Sequence, residues 1–128
     1  MRTLRWLTLG GLTIAFLSCG GGGSSSTPTP APTTSYQMTI SSSGAYTPST
    51  LSIPAGARVL VTNNHSTSHF FASDPHPEHD DCPEINQVGV LAPGESRETG
   101  NLVTVRTCGV HDHTDPNNLK LRAQIIIH

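Results

Sequence analysis

The stretch Cys108-Gly-Val-His111-Asp-His113-Thr-Asp-Pro116 places one thiol and two imidazoles close together near the end of the chain. A thiolate and an imidazole three apart form half of a mixed sulfur–nitrogen grip suited to copper. Two imidazoles two apart on extended backbone project from one face and can share an ion with no sulfur. Both arrangements need His111, and Cys108 decides between them, because a bridged sulfur is not a thiolate and cannot ligate. More imidazoles lie upstream: His65, His69, and the pair in His76-Pro-Glu-His79-Asp-Asp-Cys82. Neutral imidazole suits Cu(II), Zn(II) and Ni(II). A nitrogen-dominated set favours copper on affinity, with zinc as the other candidate. Asp112 should point away from its flanking histidines and is a poor direct ligand; Asp74, Asp80 or Asp81 is expected to hold a ligating ring's second N–H. His65 and His128 read as exposed polar residues. The acidic run 78–84 lacks the Asp-x-Asp-x-Asp-Gly pattern of a calcium loop.

The elements that must position these residues read as strands. Tyr36-Gln-Met-Thr-Ile40 alternates, with Met38 and Ile40 on one face. Ser49–Pro54 follows a turn at Tyr46-Thr47-Pro48, and Ala57–Asn63 alternates through Val59 and Val61 after a turn at Pro54-Ala55-Gly56. Ser96–Gly100 and Leu102–Thr107 follow a Pro93-Gly94 turn, and Leu121–Ile127 closes the chain. Short β-branched runs bounded by Pro, Gly and Asn predict an all-β sandwich or barrel, and no segment carries helical periodicity. Residues 73–86 contain Pro75, Pro77 and Pro83, so a loop is expected there. Phe70 and Phe71 are expected in the core, one of them shielding the histidines.

The first residues set the compartment. Arg2 and Arg5 precede a short apolar run, Leu7–Leu17, too brief to span a bilayer with ease and followed by small residues. Residues 1–18 therefore read as an export signal. Phe16-Leu17-Ser18-Cys19 resembles the bacterial lipobox, which implies cleavage before Cys19, a lipid on its thiol and a location on the periplasmic or outer side of the bacterial envelope. An ordinary secretory signal would show the same charge and apolar run without the lipid. Residues 19–35 are Gly, Ser, Thr and Pro with no charge and read as a flexible tether. Residues 36–128 then form one small domain. Loss of the signal removes Arg2 and Arg5 and leaves five basic residues against nine acidic ones, so there is no basic patch and no nucleic-acid partner is expected.

The span from Gly44 to Phe71 resembles the first half of a cupredoxin, the family of plastocyanin and azurin. The resemblance maps the family's aromatic-x-Pro turn to Tyr46 and Pro48, its glycine turn to Gly56, its strand-end Asn to Asn63 or Asn64, and its first ligand to His69. Leu91–Gly100 and Val105–His128 match the family's later turn, ligand loop and final strand. This implies a Greek-key β-sandwich or barrel, a copper site, and a redox or copper-transfer protein partner. A type 1 blue-copper site would use Cys108 and His111 with an axial Met. The two methionines, Met1 and Met38, both lie far upstream. Counted from the Pro93-Gly94-Glu95 turn, His111 rather than Cys108 falls at the family's Cys position, as in a cupredoxin-like bacterial subgroup with His-Asp-His in that loop. With Cys19 lipidated, Cys82 and Cys108 form an even pair in an oxidising compartment, which predicts a disulfide and a metal set drawn from His69, His111, His113, His76 and His79.

Two other function classes stay open. An enzyme would need an activated nucleophile or paired acids, and no G-x-S-x-G or H-E-x-x-H is present, so no enzymatic activity is expected. A metal-free β-sandwich tethered to the envelope as a binding module competes with the copper reading.

Overall fold

The computed structural model describes residues 36–128; residues 1–35, with the expected export signal, tether and Cys19 lipid site, lie outside the described residues. Nine strands form two mixed sheets packed as a sandwich, with no α-helix among the described residues. The first sheet has the order β2-β1-β4-β7: β1 is Tyr36–Ile40, β2 Tyr46–Thr47, β4 Val59–Asn63 and β7 Ser96–Glu98. The second has the order β3-β9-β8-β5-β6: β3 is Thr50–Ile53, β5 His69–Ser73, β6 Gly89–Leu91, β8 Arg106–Asp112 and β9 Arg122–Ile127. β1 runs parallel to β4 and β3 parallel to β9, while the other pairs are antiparallel.

The alternation read from sequence sets the inner faces. Met38, Ile40, Val59, Val61, Phe71, Val110 and Ile125 are fully buried in one core. Each such side chain contributes about 1.5–3 kcal/mol on burial. Gly56 and Gly94 adopt the left-handed backbone that the two Gly turns require.

Three local expectations are corrected. Residues 102–105 do not form a strand. Leu102 is buried in the core and makes a single bridge to Ala57, while Val103 and Val105 are exposed, so the segment joins no sheet. The strand starts at Arg106 instead and runs through Asp112, so most of the segment matched to a ligand loop is sheet. The stretch from Ser73 to Asn86 is mostly loop, as expected, but it ends in a 3-10 turn, Pro83–Gln87, whose Ile85 is buried in the core.

That loop is pinned at several points. Cys82 and Cys108, both fully buried, form the expected disulfide. The Ser73 hydroxyl and the Asn86 amide both donate to the His79 carbonyl, at 3.0 and 2.7 Å. The Ser73 N–H donates to Asn86 Oδ1 at 2.9 Å.

Candidate metal centre

Strand parity decides which side chains can meet. In the β5–β8 pair, Phe71 lies opposite Asp112, Ala72 opposite His111 and Ser73 opposite Val110. Opposed residues share a face and neighbours alternate. Cys108, Val110 and Asp112 therefore face inward with Phe71, whereas Gly109, His111 and His113 face outward with Ala72 and Phe70. The loop after β5 folds over this outer face and brings His76 and His79 to it. One nitrogen from each of His76, His79, His111 and His113 lies within 4.8 Å of the others. An ion with nitrogen bonds of about 2.0–2.1 Å needs donor pairs roughly 3–4 Å apart, so a slight contraction would close a four-nitrogen shell.

His111 anchors the group. Its ring is fully buried, and Nδ1 lies 2.6 Å from Asp74 Oδ1. A carboxylate only accepts, so Nδ1 carries the hydrogen and donates it, leaving the lone pair on Nε2. That Nε2 is buried with no hydrogen-bond partner. An unsatisfied buried acceptor costs about 1–3 kcal/mol, which a bound cation would offset. The bracing carboxylate is one of the three expected from sequence. Its path was not foreseen: the Asp74 N–H donates to the Gly109 carbonyl at 3.0 Å, and the Asp74 side chain crosses the Gly109 Cα to reach His111. A Cβ on Gly109 would collide with the Asp74 carboxylate. A lone Gly inside a strand pattern is itself a signal of close approach, and it was available in the sequence.

The other three rings lie nearer solvent. His113 Nδ1 sits 3.0 Å from His79 Nε2, and the His113 N–H donates to the Phe70 carbonyl. The His79 ring centroid is 5.0 Å from that of His111 and 4.7 Å from that of His113. His76 is exposed at the rim, 4.8 Å from His113. Phe70 rather than Phe71 shields the group, with its ring 4.8 Å from His113. His79 holds a left-handed backbone, φ 56°, which costs about 1–2 kcal/mol outside glycine; the Ser73 and Asn86 bonds to its carbonyl fix it there. Desolvation, and then the charges of His111, His113 and His76, push the His79 pKa below the ordinary imidazole value, keeping this ring neutral and able to ligate.

Two expectations fail on parity. His69 is not in the group: it shares the inner face with Phe71 and Asp112, across the sheet from His111 and His113. Its Nδ1 bonds Asp112 Oδ2 and its Nε2 faces His65 Nδ1. Burial alone would raise the Asp112 pKa, but hydrogen bonds from Thr114 and His69 outweigh it and hold this carboxyl below its usual value. Cys108 is also excluded as a ligand. Its sulfur is bonded to Cys82, and three residues of extended strand put it on the face opposite His111. His65, expected as an exposed decoration, is half-buried and bonded.

No protein-family model and no curated protein matches the chain. Solved structures do. The fold resembles a purple cupredoxin from Nitrosopumilus maritimus at 19% identity, over 73% of this chain and 99% of that one, with a TM-score of 0.56. It resembles the oxidised form of plastocyanin from Dryopteris crassirhizoma at 15% identity, over 72% and 99%, with a TM-score of 0.56. It also resembles amicyanin from Paracoccus versutus at 13% identity, over 77% and 86%, with a TM-score of 0.59. At these identities the likeness establishes the fold: the domain has the cupredoxin fold that the sequence resemblance implied.

Proposed function

We propose that the domain binds one Cu(II) through His76, His79, His111 and His113 and acts in copper handling, not as an enzyme, at the bacterial envelope. The observation that carries this reading is the buried, unpartnered Nε2 of His111, fixed by Asp74 and converging with three further imidazoles. Among first-row divalent ions an all-nitrogen set is most favourable for Cu(II), ahead of Zn(II). The cupredoxin fold agrees with copper, while the bridged Cys108 supports a site unlike blue copper. Bound Cu(II) would supply a single redox-active centre whose nitrogen shell lacks sulfur-to-copper charge transfer. His76, at the exposed rim, is where a redox or copper-transfer partner would reach the ion. Lipid on Cys19 and the 19–35 tether would hold the domain at the membrane.

Metal analysis and Cu(II) titration of the full chain test the reading. One tightly bound equivalent at the four-histidine group and a nearly colourless holo-protein are expected. His111→Ala should weaken binding by more than about 100-fold, because losing a ligand exceeds the 10–100-fold cost of losing its brace, and the exposed His128→Ala should change nothing. An intense blue band lost on Cys108→Ser would restore the type 1 electron carrier. No copper uptake would favour the metal-free binding module. The anchor is tested separately: Cys19→Ser should leave the membrane fraction.

A further inference from the structure

We infer that the end of the sandwich carrying Val103 and Val105 rests on a lipid bilayer, which holds the four-histidine group on the side of the domain away from the membrane. The inference rests on the proposed lipid at Cys19. Backbone pairings define this end. Tyr36, where the domain begins, lies opposite Val59 at the start of β4. Just before β4, Ala57 bridges Leu102, and the Gly56 N–H donates to the Leu102 carbonyl at 2.9 Å. The point where the tether enters and the segment 102–105 therefore share one end of the sandwich. β8 leaves that end at Arg106 and reaches His111 about 16–17 Å further along the strand.

Two loops form the surface there, and neither carries a charge. Residues 53–57 and 99–105 hold only apolar, Gly, Thr and Asn side chains. Pro54 and Ala55 are exposed, and Val103 and Val105 are 58% and 67% exposed. Ile53 and Leu102 already take the core positions of these loops, so the valines have no inward place to go. A single exposed Val needs no explanation, but a charge-free tip beside the entry of a membrane tether does. The surrounding charges agree. Glu98 and Glu84, the acids bordering the loops, are matched by Arg58 at 4.0 Å and Arg106 at 3.2 Å. The exposed acids Glu78 and Asp115 stand with the histidines instead, where an anionic headgroup layer repels them.

Two valines hold a bilayer only weakly on their own. The anchor makes the contact intramolecular. A Gly/Ser-type coil of the length of residues 19–35 averages about 20–25 Å end to end, which keeps the domain at a high effective concentration over the surface. The four-histidine group would then face the aqueous side, where a soluble partner can reach His76.

The one tryptophan, Trp6, lies in the expected export signal, so Val105→Trp gives the mature chain a single fluorescent probe at this end. Leu119→Trp gives a matched probe at the other end, just before β9 passes His111, where Leu119 is 83% exposed. Each full-length variant, processed in cells and reconstituted into phosphatidylethanolamine/phosphatidylglycerol vesicles with brominated acyl chains, tests the orientation. Val105→Trp emission should shift to the blue and be quenched several-fold more than that of Leu119→Trp. Adding Val103→Asp to Val105→Trp should remove most of that difference while flotation with the vesicles stays unchanged. Equal quenching at both positions, or none at either, in protein that floats overturns the inference alone. Wild type that does not float fails the Cys19 anchor and the inference with it. A blue shift that follows protein concentration without bromine quenching would overturn the membrane contact and assign the valines to a second copy of the chain.

Discussion

Replacing Gly109 by Ala should damage a metal site that its side chain never touches. The added Cβ would lie 2.8 Å from Asp74 Cγ and 3.1 Å from Asp74 Cβ, tighter than carbon atoms tolerate. Asp74 cannot retreat as a unit, because its N–H bonds the Gly109 carbonyl and its own carbonyl accepts from the Asp81 N–H at 3.1 Å. The carboxylate must therefore swing away, and His111 Nδ1 loses its acceptor inside a fully buried environment. That costs about 1–3 kcal/mol of stability. It also frees the ring to place its hydrogen on Nε2, where it blocks ligation, so copper affinity should fall about 10–100-fold. Calorimetric Cu(II) titration of wild type, Gly109→Ala, Asp74→Ala and the double variant reads this as a cycle. Both single changes remove the same brace, so the double variant should bind no worse than Asp74→Ala alone. Fully additive losses, or wild-type affinity in Gly109→Ala, would refute the coupling of Gly109 to His111 through Asp74.

The His79 pKa, lowered from 6.5, gives a pH prediction with a definite sign. The folded apo-protein binds fewer protons than the unfolded chain as pH falls through 6.5, so apo stability should decline there, and urea midpoints measured above and below that value should show the loss. The His79 ring resonances should titrate below 6.5, and a midpoint at or above it would contradict the packing around this ring. The disulfide closes a ring across 26 positions, worth about 3–4 kcal/mol. Cys82→Ser/Cys108→Ser should lower stability by about that much and loosen the segment carrying His76 and His79. Ready labelling of Cys108 in native oxidised protein would show that the bridge is absent.

The strands were legible because alternation in Met38/Ile40 and Val59/Val61 is a local signal that survives into the packed sandwich. The histidines of the 108–116 stretch were legible as a pincer for the same reason, since two residues apart on a strand is one face whatever the partner. His69 was misplaced because its face depends on register against β8, which no local pattern encodes. One step in that register would have turned it to the face that carries His111 and His113. The extent of β8 was equally hidden. Val103 and Val105 have strand-like side chains, but they project into solvent and have no sheet to join. His76 and His79 could be named as candidates but not ranked, because their approach depends on where Cys82 and Ile85 tie the loop to the core.

The tripeptide His111-Asp112-His113 carries the larger consequence of that parity. Its outer residues face the four-imidazole group, and its central carboxylate faces inward to orient His69. One strand end thus supplies ligands to one cluster and the brace to another, with the sheet between them. A change at Asp112 is therefore expected to act first on His69 and His65, through the lost carboxylate. It would reach copper at His111 and His113 only if the backbone of β8 shifts. The β8–β9 ladder that continues through His111 and Arg122, and the His113 N–H bond to Phe70 across β5, both resist such a shift. Neighbours in sequence on this strand are for that reason separate in chemistry, and the sulfur at Cys108, on the inner face with Asp112, belongs to the structure of the core rather than to the four-histidine group.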